Sequence, residues 1–321
     1  MSKVAEFKLA DGTSVPWLAF GSGSGEAMSG FKESAGRLAL EAGLTHLDTA
    51  QNYANGAQEE QVGQLLKSCG IPREKLYLTS KVSELKGDRS GPAPMAEIES
   101  RIRDSVKKLG GSPDLLLVHG PFIFGKGEAD PKEIQECWKI LEKLKDEGLI
   151  KSVGVSNFRP QDFEAIFEIC KHKPVCNQIE FHPYLQDQLK PVLDLHAKHN
   201  ILTASYGPMQ PAIRGVQGPL QPVIEKIAAR ISADSGTPFE PASVLLKWCK
   251  AKNVMAVTTS SKVDRINGYA AIDSLPDLTP EEVEQIDKAG RGHHYRYYNH
   301  HMVKDLPVPE GVKHLDGPTL F

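Results

Sequence analysis

The feature that most constrains this chain is a short apolar run that keeps returning after an amphipathic helical segment. Such runs occupy residues 17–20, 44–47, 76–79, 115–118, 152–155, 175–179, 201–204 and 254–257. Helical periodicity fills the intervals, at 33–42, 58–67, 96–109, 131–147, 160–171 and 187–199, as a pair at 223–231 and 241–250, and again at 263–270. Apolar runs of this length read as strands covered on both faces. Strands alternating with helices in this way predict an α/β fold, a parallel (β/α)8 TIM barrel rather than a doubly wound sheet. No low-complexity linker interrupts the pattern, so residues 1–321 are expected to form a single domain. Ahead of the first run, residues 7–16 read as a β-hairpin turning at Asp11-Gly12, placed to plug the bottom of a barrel.

Several runs end in a titratable group. The stretch LTHLDTAQNY carries Asp48 and, five residues on, Tyr53; the third run leads into Lys81 and the fourth into His119. Taken singly, each has an ordinary reading: an Asp cap, a packed Tyr, a surface Lys, a core His. In a parallel barrel the carboxyl ends of successive strands face one another, which is where such folds place their chemistry. The four residues therefore converge if the fold is right.

Bulk properties narrow the classes further. A formal charge of −3 on 321 residues offers no electrostatic basis for binding nucleic acid or an anionic membrane. No stretch is long and apolar enough to span a bilayer, and MSKVAEFKLADG has no signal-peptide core, so a cytoplasmic location is expected. Cys69, Cys137, Cys170, Cys176 and Cys249 are odd in number and form no CxxC pair. That fits reduced thiols better than a disulfide frame or a zinc site. The glycine-rich GSGSG at 21–25 lacks the GxGxxG spacing of a dinucleotide fingerprint and the apolar helix that should follow it.

In order along the chain, DTAQNY, TSKV, LLLVH, GVSNF and NQIEFHPY resemble the aldo-keto reductases, over residues 21–265. The resemblance implies that Asp48, Tyr53, Lys81 and His119 act together in carbonyl reduction: Tyr53 gives the proton, Lys81 lowers its pKa, Asp48 holds the lysine and His119 directs the carbonyl oxygen. It implies NADPH/NADP as cofactor, with Ser156, Asn157 and Gln178 on the nicotinamide carboxamide. Tyr206 would stack on the ring, and Gly207, Pro208 and Met209 would lie beside the pyrophosphate. The adenosine end departs from the common lysine-serine pattern: the chain reads VTTSSKVDRI, with Thr259 at the usual lysine position. Ser260, Ser261, Lys262 and Arg265 still bring hydroxyls and two cations to a helix amino terminus, a natural phosphate site. NADPH is therefore expected over NADH.

The expected substrate pocket also departs from the family. Gly25 stands where many members have a tryptophan, and HGP replaces HWP, bringing Gly120 beside His119. Together with Val82, these residues imply a wider, less apolar pocket. The final GRGHHYRYYNHHMVKD, past a last helix at 280–289, is expected to fold over the active-site mouth, with Tyr295, Tyr297 and Tyr298 bounding the pocket. Its histidines, His293, His294, His300 and His301, read as solvated or lid residues rather than metal ligands. HGP, TTSSK and GRGHHYR together resemble the fungal branch that reduces conjugated polyketones, ketopantoyl lactone and α-keto amides. Two alternatives stay open: a general aldehyde or xylose-type reductase, and a cofactor-sensing regulatory subunit with little turnover. The expected partner is a small carbonyl compound, and the expected state a monomer or weak dimer.

Overall fold

The computed structural model describes residues 4–23, 33–86, 91–122, 128–298, 302 and 306–320. A hairpin of β1 (Glu6–Lys8) and β2 (Ser14–Pro16) comes first, turning at Gly12, whose φ of +85° suits a residue without a Cβ. Then follow β3 (Leu18–Gly21), α1 (Glu33–Ala42), β4 (His46–Asp48), α2 (Gln58–Ser68), β5 (Tyr77–Val82), α3 (Ile98–Leu109), β6 (Leu115–Val118) and α4 (Pro131–Asp146). The chain continues through β7 (Ser152–Ser156), α5 (Pro160–Phe167), β8 (Cys176–Glu180), α6 (Gln186–His199) and β9 (Leu202–Tyr206). After a short α7 (Gln210–Ile213) come α8 (Leu220–Ser235), α9 (Pro241–Ala251), β10 (Met255–Thr258), α10 (Val263–Ala270), α11 (Pro280–Gly290), β11 (His293–His294) and β12 (Lys313–His314). Strands β3 to β10 pair in parallel and in order, and β10 closes on β3, giving the expected eight-stranded barrel.

Side chains alternate across each strand. On β6, Leu115 and Leu117 point into the barrel while Leu116 and Val118 pack outward on the helices. Inside, Leu115, Leu117, Cys176, Ala204 and Met255 form an apolar floor that Leu9 and Val15 of the hairpin region cover from below. This is the plug expected from the sequence. On the hairpin side of the barrel, buried His46 contacts the Pro16 carbonyl (3.0 Å) and the Thr79 hydroxyl (2.8 Å) through its two nitrogens. Burial holds its pKa down to about 4, so the ring is neutral.

All the barrel strands but β6 run one to three residues further toward their carboxyl ends than the apolar runs do. β5 includes Lys81, β7 includes Ser156, β8 includes Glu180 and β9 includes Tyr206. Polar residues at the mouth still pair through their backbones, so hydropathy marks the strand end too early. Helix α5 stops at Phe167, short of the expected Lys171. No helix among the described residues is long and apolar enough to cross a membrane.

Candidate active site at the barrel mouth

Asp48 ends β4, and the chain after it stays tied to β5. Thr49 N donates to Thr79 O (2.9 Å), and Gln51 N to Lys81 O (3.1 Å). The Gln51 side chain is held at both ends, its Nε2 by the Ser105 hydroxyl and its Oε1 by Ser83 N. A 3-10 turn, Tyr53–Gly56, follows, with Ala54 and Asn55 in left-handed conformation (φ 49° and 51°). Such backbone is costly for residues other than glycine and persists where its surroundings enforce it. The turn starts at Tyr53, whose hydroxyl lies beside Lys81 Nζ.

The four residues singled out in the sequence do meet. Lys81 Nζ lies 2.5 Å from Asp48 Oδ1, 3.0 Å from the Thr49 carbonyl and 3.5 Å from the Tyr53 hydroxyl. Lysine and aspartate are both buried, at 1% and 3% side-chain exposure. Burial by itself pulls the ammonium's pKa down; attraction to Asp48 and then to Tyr53 outweighs it, and the net shift is upward. Asp48 thus favours the charged form of the ammonium beside the phenol. His119, directly after β6, sets its ring edge-on to that of Tyr53, with centroids 5.6 Å apart and planes at 74°.

Beside this group lie the amide-bearing residues. Gln178 Nε2 donates to Asp48 Oδ2 (2.8 Å), so its nitrogen serves the ion pair. The Ser156 hydroxyl donates to the Gln178 carbonyl (2.7 Å). Asn157, at φ 59°, accepts from the Tyr206 hydroxyl (2.7 Å), and its Nδ2 donates to His119 O (3.1 Å) and Ser156 Oγ (3.2 Å). Its amide thus binds together β6, β7 and Tyr206, beyond the carboxamide role expected of it. Gly207 follows at φ 65°; a Cβ there would come within 3.1 Å of the Tyr298 ring. Pro208 and Met209 are buried, the latter in the main core.

At the expected adenosine end, Lys262 caps α10, its N–H bound to Ser260 Oγ (3.0 Å), and Lys262 and Ser261 are exposed. Arg265 is engaged: its Nε lies 3.2 Å from the Glu240 carboxylate. Both line a groove of about 800 Å³ that also presents Asp234 and Asp264. Asp264 stands within VTTSSKVDRI itself, but Asp234 and Glu240 come from the end of α8 and the start of α9 and were not legible there.

Some pocket expectations need correction. Val82 faces outward, fully buried against Ile98, Ile102 and Val118, because it alternates with inward-facing Lys81. Gly25 lies outside the described residues. In the first loop Gly23 touches the site: a Cβ there would sit 2.8 Å from Tyr53 Cε2, so the phenol packs on bare backbone. Gly120 is backed by Glu84, whose Oε1 would lie 3.2 Å from an added Cβ. Tyr297 packs on the Arg214 guanidinium (4.2 Å), whereas Tyr298 reaches the site, edge-on to Tyr206 at 5.2 Å. Tyr295 donates to Pro318 O and stacks on His182. His294 is buried against Gln188 and His314 rather than solvated; His300 and His301 lie outside the described residues.

Fold and site together define a class: a closed parallel (β/α)8 barrel carrying a buried lysine-carboxylate pair, a phenol and an imidazole at its mouth. The chain belongs to the aldo/keto reductase family, whose pattern matches residues 19–291. It is 33% identical over 304 residues to a Schizosaccharomyces pombe protein named NAD/NADP-dependent indole-3-acetaldehyde reductase, covering 91% of this chain and 98% of that one. It is also 33% identical over 253 residues, 78% of this chain and 76% of the other, to the NADPH-dependent alpha-keto amide reductase of Saccharomyces cerevisiae. A solved aldo/keto reductase from Brucella melitensis superposes with a TM-score of 0.71 at 30% identity, over 89% of this chain and all of that one.

Proposed function

We propose that the chain acts as one domain that reduces small ketones, α-dicarbonyls and aldehydes to alcohols with a nicotinamide cofactor, Tyr53 serving as general acid. The observation that carries this reading is the placement of Lys81 Nζ between the Asp48 carboxylate and the Tyr53 hydroxyl, with His119 against the same phenol. The residues fit a nicotinamide: Tyr206 offers a half-buried ring whose hydroxyl is tied to the Asn157 amide, which in turn reaches the Ser156 hydroxyl. When bound, the reduced cofactor supplies the hydride that no side chain can. His119 donates a hydrogen bond to the substrate oxygen and sets its direction. Tyr53 gives its proton as that oxygen gains charge, and the Lys81 ammonium stabilises the phenolate left behind. Asp48, shared between Lys81 and Gln178, keeps the ammonium in place.

NADPH is the preferred donor in this reading, supported by Lys262 and Arg265 at the start of α10. Glu240 moderates that preference, since a 2′-phosphate must draw Arg265 from a carboxylate, whereas NADH need not. The double-cofactor name of the fission-yeast relative agrees with a tolerant site. The fungal reductases of α-dicarbonyl compounds are the best guide to substrate, because Gly23 and Gly120 leave two sides of the site without bulky side chains.

The test is Tyr53→Phe, which keeps the ring and removes the proton donor. NADPH binding, followed by fluorescence titration, should persist while kcat falls by ~10²-fold or more; full turnover rejects the mechanism. On the unmodified protein, isatin and ketopantoyl lactone should be reduced better than xylose. The reverse order points to an aldose-type reductase.

A further inference from the structure

Glu180 closes β8, two residues beyond Gln178 on the same inward-facing side of the strand. It is fully buried. A carboxylate out of water must be matched by donors or cations. The partners of Glu180 come almost entirely from one distant piece of chain. Tyr297 N donates to its Oε1 (2.7 Å), Tyr298 N to its Oε2 (3.1 Å), and Arg296 Nη1 to Oε2 (3.2 Å). Arg296 is itself buried, and its Nη2 and Nε are taken by Gln188 Oε1 (3.0 and 3.3 Å). Gln188 in turn donates through Nε2 to the Leu306 carbonyl (2.6 Å).

Two adjacent backbone N–H groups on one carboxylate fix the direction of the main chain as well as its distance. An ordinary buried ion pair would need neither, and apolar residues in its place are often as stable. The fixed direction has a consequence one residue on. The Tyr298 ring lies edge-on to Tyr206 (5.2 Å, 82°) and against the open side of Gly207, and its hydroxyl accepts from Gln210 Nε2 (3.4 Å). We infer that Glu180 is a positioning residue for the reaction proposed above: its carboxylate latches residues 296–298 to the barrel and so holds Tyr298 as the aromatic wall of the substrate site. The inference rests on that functional reading. Glu180 acts through Tyr298.

A bulky planar carbonyl needs the wall; a small aldehyde does not. The experiment compares isatin with propanal, each with NADPH, for the unmodified enzyme, Glu180→Gln, Tyr298→Ala and the double variant. Glu180→Gln should raise KM for isatin at least tenfold and change kcat for propanal less than twofold. In the Tyr298→Ala background it should add less than twofold to the isatin effect. Equal losses on both substrates, or additive effects in the double variant, overturn the inference and leave Glu180 a purely structural residue. Should Glu180→Gln not fold, Arg296→Lys takes its place with the same expected split. If the unmodified protein reduces neither compound, the functional reading fails first. Hydrogen exchange then judges the latch alone: Glu180→Gln must unprotect the Tyr297 and Tyr298 amides while those of β8 stay protected, and unchanged protection refutes it.

Discussion

Removing Lys81 separates what the ion pair does for the fold from what it does for the chemistry. At 2.5 Å, the attraction of Lys81 to Asp48 is about 7 kcal/mol for an effective dielectric constant near 20. Desolvating two ions costs several kcal/mol each, so the intact pair contributes little net stability. Breaking it from one side is different. Lys81→Met leaves Asp48 buried with only the Gln178 amide as an identified side-chain partner, which costs about 3–5 kcal/mol. Adding Asp48→Asn removes the stranded charge, and the neutral amide oxygen can still accept from Gln178. The double variant should therefore recover much of the lost stability in urea unfolding. Turnover should recover in neither, since both lack the cation beside Tyr53; kcat is expected to fall ~10²-fold or more, the scale of an impaired general acid. A double variant no more stable than Lys81→Met, or one that regains activity, would refute the reasoning.

Four further outcomes are expected. Lys262→Ala should raise the KM for NADPH far more than that for NADH; equal effects remove Lys262 from the phosphate site. Glu240→Gln should lower the KM for NADPH by up to about fivefold, as expected for releasing an exposed pair worth ~1 kcal/mol or less, with NADH unaffected; a rise for NADPH contradicts the assignment. The third concerns pH: burial depresses His46 from 6.5 to about 4, so the folded state binds fewer protons, and its stabilising effect, complete above pH 6.5, is lost as pH falls toward 4. Between pH 7 and 5 this one residue should cost roughly 2 kcal/mol of unfolding free energy, and His46→Asn should reduce the pH dependence by about that amount; an unchanged slope means the ring is not held neutral. Finally, Gly63→Ala should destabilise by about 1–3 kcal/mol through overpacking, although alanine is the better helix former, because its Cβ would fall 1.9 Å from the Lys108 carbonyl oxygen. A more stable variant would show that α2 and α3 do not pack this closely.

Much of the barrel was legible because strand after strand is apolar and short, and because the helices between them are amphipathic. Asp48, Lys81 and His119 were legible in the same way, as titratable groups at or just past the end of an apolar run, whereas Tyr53, five residues past Asp48, was legible from the DTAQNY motif. The errors share a cause as well. Val82 was expected in the pocket because it neighbours Lys81, yet a strand reverses its side-chain direction at each residue, and only pairing with β6 sets which phase faces inward. Tyr206 and Glu180 fell beyond the expected strand ends because polar side chains there still belong to the ladder. Gly23 was not singled out at all, because nothing in a glycine-rich loop marks which residue will lie against the phenol.

The amino-acid sequence by itself determined the repeating strand-helix order and the identity of the groups available at the mouth, since both depend on local composition and spacing. The tertiary structure alone decided which of those groups are already committed. Gln178 serves Asp48 across 130 positions, Arg296 serves Glu180 across 116, and Arg265 meets Glu240 across 25. Closing the barrel brings together residues that the order of the chain keeps apart, and contacts made that way leave no periodic trace in the sequence.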